Sequence, residues 1–291
     1  MLPADIIQAQ IELYLQKLSR GEEYLPDAEI DALTKHINLK FKDEARRIND
    51  FRMRVSNLGR PLCQLQMEQK GVNRTERQET FKPVKFATGD MLEAWLVAVL
   101  KSCGLPITSL SEKVSLEING EEIQGELDLG IDNAVYDIKT ASAYSFRKYQ
   151  DGFMSVYEDD PFGYVIQGFL YAAAKNQPFG GWIVVNKNTG EIVVCETPIN
   201  REKYEREAIL TAASRVDTLI KKKPFERQFE DIEEKFKKAI TGNRKLPFTC
   251  AWCDYKFECW EKLTHHPVAL STAKDPKWEY YTHLVSVIER D

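Results

Sequence analysis

Asp128, Asp137 and Lys139 are the residues of this 291-residue chain whose types and spacing are suited to chemistry. They lie in two short runs, Gly125-Glu126-Leu127-Asp128 and Tyr136-Asp137-Ile138-Lys139, with Asp132-Asn133 between them. Two carboxylates held opposite one another repel unless something offsets them. A hard divalent cation such as Mg²⁺ does so, because it takes oxygen ligands. A cation held this way lowers the pKa of a bound water and stabilises a departing oxyanion. A neighbouring lysine orients that water or neutralises charge on a phosphate. Together these groups are the minimum equipment for metal-assisted phosphodiester hydrolysis. An exposed hairpin edge with scattered charges is the blander reading. It accounts for the charges, but not for two aspartates in register with a lysine beside one of them.

The elements that must position this set follow from patterning. Ile123, Gly125, Leu127 and Leu129 alternate with Gln124, Glu126 and Asp128, and Ala134, Tyr136 and Ile138 alternate with Val135, Asp137 and Lys139. That is the period-two signature of strands. Asp132-Asn133 suits a tight two-residue turn, which would set Asp128 opposite Asp137 and Glu126 opposite Lys139. The side chain of Ile138 points to the buried face, which leaves its backbone oxygen as a further metal ligand. Glu126 is placed to tune Lys139 and is a spare ligand. A helix from Thr88 to Ser102, closed by Gly104 and Pro106, delivers Glu93 as a third acidic ligand. A helix over about 160–176 carries Gln167 and Tyr171, which share a face at i, i+4. They are placed to hydrogen-bond a phosphate or steady the lysine, or Tyr171 packs in the core with its hydroxyl at the edge.

Residues 1–58 read as helical, beginning with an amphipathic segment in which Ile6, Ile7, Ile11, Leu13, Tyr14 and Leu18 form a stripe. Strands are expected over 112–119, 122–131 and 134–140, and two more flank Asn188-Thr189-Gly190. Helices are expected over 200–222 and 228–241. The order predicts an α/β fold with a central mixed sheet surrounded by helices, a helical N-terminal region (1–58), a core over 59–262, and a tail over 263–291. Hydrophobic residues make up 43% and charged residues 29%, the balance of a soluble protein with a real core. There is no apolar run of about 18 residues and no signal-peptide layout at the start, so a cytoplasmic location is expected. The net charge of −5 argues against coating nucleic acid by charge alone. The basic runs 40–54 and 221–223 supply local positive charge or are solvated helix faces.

Cys250, Cys253 and Cys259 form a C-x₂-C-x₅-C run. With no export signal, such thiols point to a metal rather than to disulfides, and a metal centre normally takes four ligands. His265 or His266 would complete a local zinc site. Cys63 would complete an all-cysteine iron–sulfur site and clip distant parts of the chain together. Cys103 and Cys195 lie in apolar contexts and read as buried thiols.

Taken in order, Cys63, Gly89-x-x-x-Glu93, Gly125-Glu126-Leu127-Asp128, Asp137-Ile138-Lys139, Gln167-x-x-x-Tyr171 and the cysteine run resemble the PD-(D/E)XK nuclease superfamily. The branch they resemble is the iron–sulfur, RecB-like one that includes the CRISPR-associated adaptation nuclease and the nuclease domain of AddB. The resemblance covers about residues 60–262. It implies a restriction-endonuclease-like core with Asp128 and Asp137 as metal ligands, Lys139 as the catalytic lysine, and Gln167 and Tyr171 in its supporting motif. It also implies a mainly structural [4Fe–4S] cluster on Cys63, Cys250, Cys253 and Cys259. Two departures stand out: many relatives have histidine where Glu93 stands, and glutamate where Asp137 stands. The implied activity is that of a Mg²⁺- or Mn²⁺-dependent DNA exonuclease preferring single strands or ends, with 5′ polarity in some relatives. Such an enzyme would serve phage DNA metabolism, recombination or repair, in the host cytoplasm if phage-encoded. A structure-specific or flap endonuclease would use the same site, and a non-catalytic DNA-binding or assembly protein is the rival of another class. The expected partner is DNA. A homo-oligomer or a recombination or replication partner is left open.

Overall fold

The structure, a computed structural model, describes residues 1–45, 51–74 and 76–288. Part of the basic run 40–54, residues 46–50, therefore lies outside the described residues. Helices α1 (Ala4–Ser19), α2 (Asp27–Ala45), α3 (Val55–Leu58), α4 (Leu62–Gln69) and α5 (Glu76–Ser102) precede strands β1 (Ile107–Ile118), β2 (Glu121–Ile131) and β3 (Ala134–Ala141). Helices α6 (Ala143–Gln150), α7 (Phe153–Glu158) and α8 (Tyr164–Lys175) come next, then β4 (Phe179–Asn186), β5 (Ile192–Glu196) and α9 (Glu202–Ile220). The chain ends with β6 (Ile232–Phe236), β7 (Ala239–Lys245), α10 (Phe248–Ala251), α11 (Lys256–Cys259), β8 (Thr264–Pro267) and β9 (Trp278–His283). No described helix is long and apolar enough to cross a membrane.

The chain divides into two compact units, Met1–Gly59 with Lys82–Lys221, and Arg60–Phe81 with Lys222–Asp291. The units interleave in sequence, where three consecutive segments were expected.

In the first unit a five-stranded mixed sheet runs in the order β1-β2-β3-β4-β5. Its one parallel pair, β3 with β4, needs a crossover, and α6, α7 and α8 supply it. Every other pairing in this sheet is antiparallel. One core gathers Val55, Leu127, Val135, Phe146, Phe169 and Trp182. The other joins Ile7 and Ile11 of α1 and Leu96 and Leu100 of α5 to Leu129, Ile131, Tyr136 and Ile138. The expected mixed sheet with flanking helices and a helical N-terminus is what the chain forms. The side chain of Gln8 on α1 acts as a substitute strand residue against β5. Its amide donates to the Ile192 carbonyl at 2.9 Å, and its oxygen accepts the Val194 N–H at 2.8 Å. An edge strand is thereby covered rather than left open to pairing.

Asp132 and Asn133 are the two turn residues, at φ 46° and 59°, the left-handed conformation a type I′ turn requires. They fix the register as Ile131 with Ala134, Gly130 with Val135 and Leu129 with Tyr136. One detail departs from strict alternation. Leu127 and Leu129 were expected on one face, yet they pack into different cores. The cause lies between Glu112–Leu127 and Leu110–Leu129, where the β1–β2 ladder skips a pair. Ser111 there takes φ 44°, unfavourable for a residue with a Cβ, and both strands change face at Ser111 and Asp128.

The second unit holds a four-stranded antiparallel sheet, order β6-β7-β9-β8. This corrects the helix expected over 228–241, which is instead the hairpin β6–β7. Lys237 and Lys238 turn it, at φ 48° and 71°. Glu234, taken as part of a charged helix, is buried and alternates inward. Its carboxylate accepts from Tyr281 Oη at 2.6 Å and Asn243 Nδ2 at 2.7 Å. A buried carboxylate satisfied by neutral donors from other strands is a tertiary feature that local composition does not announce.

Candidate active site

The β2–β3 ladder stops at Leu129–Tyr136, one step short of Asp128 and Asp137. Beyond it the strands are joined by a side chain: Asp128 Oδ2 accepts the Ile138 N–H at 2.8 Å. Asp137 and Lys139, two residues apart on β3, share a face. Lys139 Nζ lies 2.9 Å from Asp137 Oδ1 and 2.8 Å from Oδ2. The second oxygen, although close to the ammonium, is buried without a hydrogen-bond partner. Asp137 itself is only 2% exposed. From α8, Gln167 Nε2 donates to Asp137 Oδ1 at 3.3 Å. Glu126 does not meet Lys139 in a ladder; it pairs with Lys113 of β1.

Tyr171 explains why residue 125 is glycine. A Cβ there would lie 2.7 Å from the Tyr171 ring and 2.9 Å from Val55 Cβ, closer than real Cβ contacts come. Gly125 therefore lets α8 and α3 press onto β2 just before Asp128. Tyr171 is buried in the core, as the blander reading of it had it, yet its phenol is held high first by burial and then by the fields of Asp128 and Asp137.

The carboxylates feel one another. Burial, then Asp128, pushes Glu93 on α5 up to about 8, against the pull of Lys40 and Lys139. Burial likewise raises Asp137, Lys139 opposes it and Asp128 adds to it. Lys139 is held well above the usual lysine range; burial works against this, but Asp137, Asp128 and Tyr164 outweigh it. Glu93, Asp128, Asp137 and Lys139 thus form one electrostatic group where β2 and β3 part. Gln167 touches it and Tyr171 stands against it.

Two residues around this group were not singled out in the sequence. Tyr164, the first residue of α8, presents its ring to Lys139, with Nζ 4.8 Å from the centroid. It lies one turn before Gln167, and that i, i+3 spacing is the signal that would have found it. His36 on α2 is lowered by burial and by Lys40, against Glu126 and Asp90. Lys40, the first residue of the basic run, thus acts on the acidic group.

In the second unit, Cys63 from α4, Cys250 from α10, Cys253 from the turn that follows it and Cys259 from α11 line one pocket, with Arg227 and Lys256 beside them. The first three thiols are pushed up mainly by burial, Cys250 to about 12 and Cys253 to about 11. The field of the neighbouring sulfurs adds to each. All four are free thiols. His265 and His266 do not line this pocket: His265 stacks on Tyr280 at 4.4 Å, and His266 Nδ1 sits 2.6 Å from the Pro267 oxygen. Cys195 is buried and Cys103 half-buried. Among the described residues, no group of three or more His, Cys, Asp or Glu side chains is arranged to hold a metal ion.

No family model and no curated protein matches this chain. Among solved structures, it is similar to the crystal structure of SSO0001, with 15% identity and a TM-score of 0.46 over 79% of this chain and 97% of that one. It is also similar to a protein from Eubacterium rectale named "Putative exonuclease", with 13% identity and a TM-score of 0.34 over 76% of this chain and 86% of that one.

Proposed function

We propose that the first unit is a metal-dependent deoxyribonuclease whose site is built from Glu93, Asp128, Asp137 and Lys139. The observation that carries this reading is the group of mutually repelling carboxylates at the parting of β2 and β3, Asp137 buried and Glu93 and Asp128 half-buried, with a lysine on one of them. Burying carboxylates with no cation to offset them is costly. Both raised carboxyls fit a site that takes up positive charge beyond that of Lys139. Glu93, Asp128, Asp137 and the Ile138 carbonyl would hold Mg²⁺ or Mn²⁺. When bound, the ion supplies an activated water and charge stabilisation for the leaving oxygen. Lys139, fully protonated, orients that water or neutralises charge on the scissile phosphate. Gln167 and the Tyr164 ring keep Lys139 and Asp137 in place, and Tyr171 fixes the strand that carries Asp128. We read the enzyme as an exonuclease acting on single strands or ends, in keeping with the PD-(D/E)XK, RecB-like resemblance.

For the second unit we propose a [4Fe–4S] cluster on Cys63, Cys250, Cys253 and Cys259. The support is that Cys63, rather than either histidine, shares the pocket of the C-x₂-C-x₅-C thiols.

The test is digestion of end-labelled and circular single-stranded DNA with Mg²⁺ or Mn²⁺, comparing the wild type with Asp128→Asn and Lys139→Ala. Ordered loss from one end, sparing the circle and absent in both variants, is expected. Cutting of the circle would make the enzyme an endonuclease. Full activity in either variant would remove that residue from the site.

A further inference from the structure

We infer that Phe162 and Tyr164 form a stacking platform for an unpaired nucleobase beside Lys139; the inference rests on the nuclease reading above. Phe162 is 48% exposed, so its ring is open to a ligand. Its ring lies 5.5 Å from that of Tyr164 at 33°, and the same Tyr164 ring carries Lys139 Nζ on its face. The apolar surface is therefore one ring removed from the ammonium of the proposed phosphodiester site. Tyr144 is 69% exposed. Lys148 lies 5.7 Å over its ring and donates to the Asp159 carbonyl at 3.1 Å, at the start of the segment that carries Phe162.

The segment is held rigidly. Asp160 Oδ2 accepts the Val165 N–H at 2.8 Å, fixing the entry to α8. Gly163, at φ 76°, crosses Gly59 so closely that a Cβ on it would lie 1.9 Å from the Gly59 oxygen. A Cβ on Gly59 would in turn lie 2.0 Å from the Gly163 oxygen. Rings on a loop pinned in this way have little freedom left to lose on binding.

A nucleobase is the occupant that matches both halves of this surface. It offers a π face to the rings and, attached to it, a phosphate for the lysine. In a duplex the base faces are stacked on each other and only their edges reach the grooves, so a face-on platform selects unpaired bases. Phe162 and Tyr164 would thus set the preference for single strands, with Tyr164 also positioning Lys139.

The test uses the full chain in EDTA with a single-stranded oligonucleotide carrying 2-aminopurine, and a covalently closed duplex as control. Wild type should quench the 2-aminopurine at one position of the strand. Phe162→Ala should abolish that quenching and weaken single-strand binding about tenfold, the scale of one base–aromatic stack. Duplex binding should be unmoved, and Phe162→Trp should restore both signals. Tyr164→Phe, which keeps the ring, should quench as wild type does. Unchanged quenching and affinity in Phe162→Ala would overturn the platform. So would equal losses for strand and duplex, or binding of a protein partner by this face with no effect of Phe162→Ala on the strand. Cleavage assays on the same preparations separate the two readings. Cleavage by wild type with an unaffected Phe162→Ala removes the platform alone. No cleavage by wild type, with a Phe162-dependent quench, removes the nuclease and leaves a single-strand binding site.

Discussion

The Asp128 carboxylate accepts the Ile138 N–H at 2.8 Å, just past the last backbone pair of the hairpin. It therefore serves the fold as well as the proposed chemistry, and the two roles can be separated. Asp128→Ala leaves a buried N–H without its acceptor, at a cost of about 1–3 kcal/mol. Relief of charge repulsion does not cancel this at neutral pH, because Glu93, raised to about 8, already holds much of its proton there. Asp128→Asn keeps an acceptor oxygen and loses the charge. Both variants should be inactive, but only Asp128→Ala should melt measurably lower in thermal denaturation. Equal melting temperatures would show that the Ile138 N–H finds another partner.

Gly125→Ala is expected to destabilise the protein by about 1–3 kcal/mol, the usual scale of overpacking. The added methyl meets the Tyr171 ring and Val55 Cβ, one on a helix core and one on a short helix, and neither is the loose end of a flexible chain. Activity should fall with it, since β2 carries Asp128 three residues on. Denaturant unfolding and cleavage rate on one preparation check this. A variant as stable and active as wild type would mean that α8 shifts freely.

Much of this arrangement was legible because it is local. Asp132-Asn133 announces its turn, and the turn dictates which residues of β2 and β3 meet. Gln167 and Tyr171 declare a shared face by spacing alone. What stayed hidden depends on other parts of the chain. Ser111 gives no sign that the ladder breaks opposite Asp128, because the break shows only in how Leu127 and Leu129 go to different cores. Glu234 looked like one more helix charge, and only Tyr281 and Asn243 make it a strand residue. The Gly59–Gly163 crossing, which aims Phe162 and Tyr164, links residues that no sequence period connects.

The pH dependence has a definite sign. Glu93 rises from 4.5 to about 8 and Asp137 from 3.8 to about 7, so between those limits the folded chain binds more protons than the unfolded one. The stability that these two groups contribute to the metal-free protein is then fullest at the acid end and is lost as pH rises from about 4 to about 8. Mg²⁺ or Mn²⁺ favours the ionised forms, so it should flatten the fall, and cleavage should climb over the upper part of the same range. Melting temperatures across this range with EDTA and with Mn²⁺ decide it. A fall with pH that is unchanged in Glu93→Gln would contradict the raised state of Glu93.

The cysteine pocket predicts a brown protein when it is prepared without air, with about four irons per chain. Cys63→Ser should bleach it as fully as Cys250→Ser, because both sulfurs line the same pocket. A colourless protein with one zinc, sensitive to His265 or His266 and indifferent to Cys63, would replace the cluster with the local site.

Glu93→Gln and Cys253→Ser should fail in opposite ways. Glu93 is raised mainly by its own burial and then by Asp128, so a neutral amide there removes repulsion and should leave the fold as stable as before, or slightly more so in EDTA. What it loses is a charged oxygen for the metal, and cleavage should become feeble and partly recoverable at high Mn²⁺. Cys253 belongs to the other unit. Its replacement by serine should give a colourless, heat-labile protein whose residual cleavage tracks the folded fraction and does not respond to added Mn²⁺. Measuring melting, iron content and the Mn²⁺ dependence of cleavage on both variants resolves the two roles. If Glu93→Gln keeps wild-type rate and metal dependence, Glu93 is not a ligand, and Glu126, the spare acid on β2, takes its place in the proposed set.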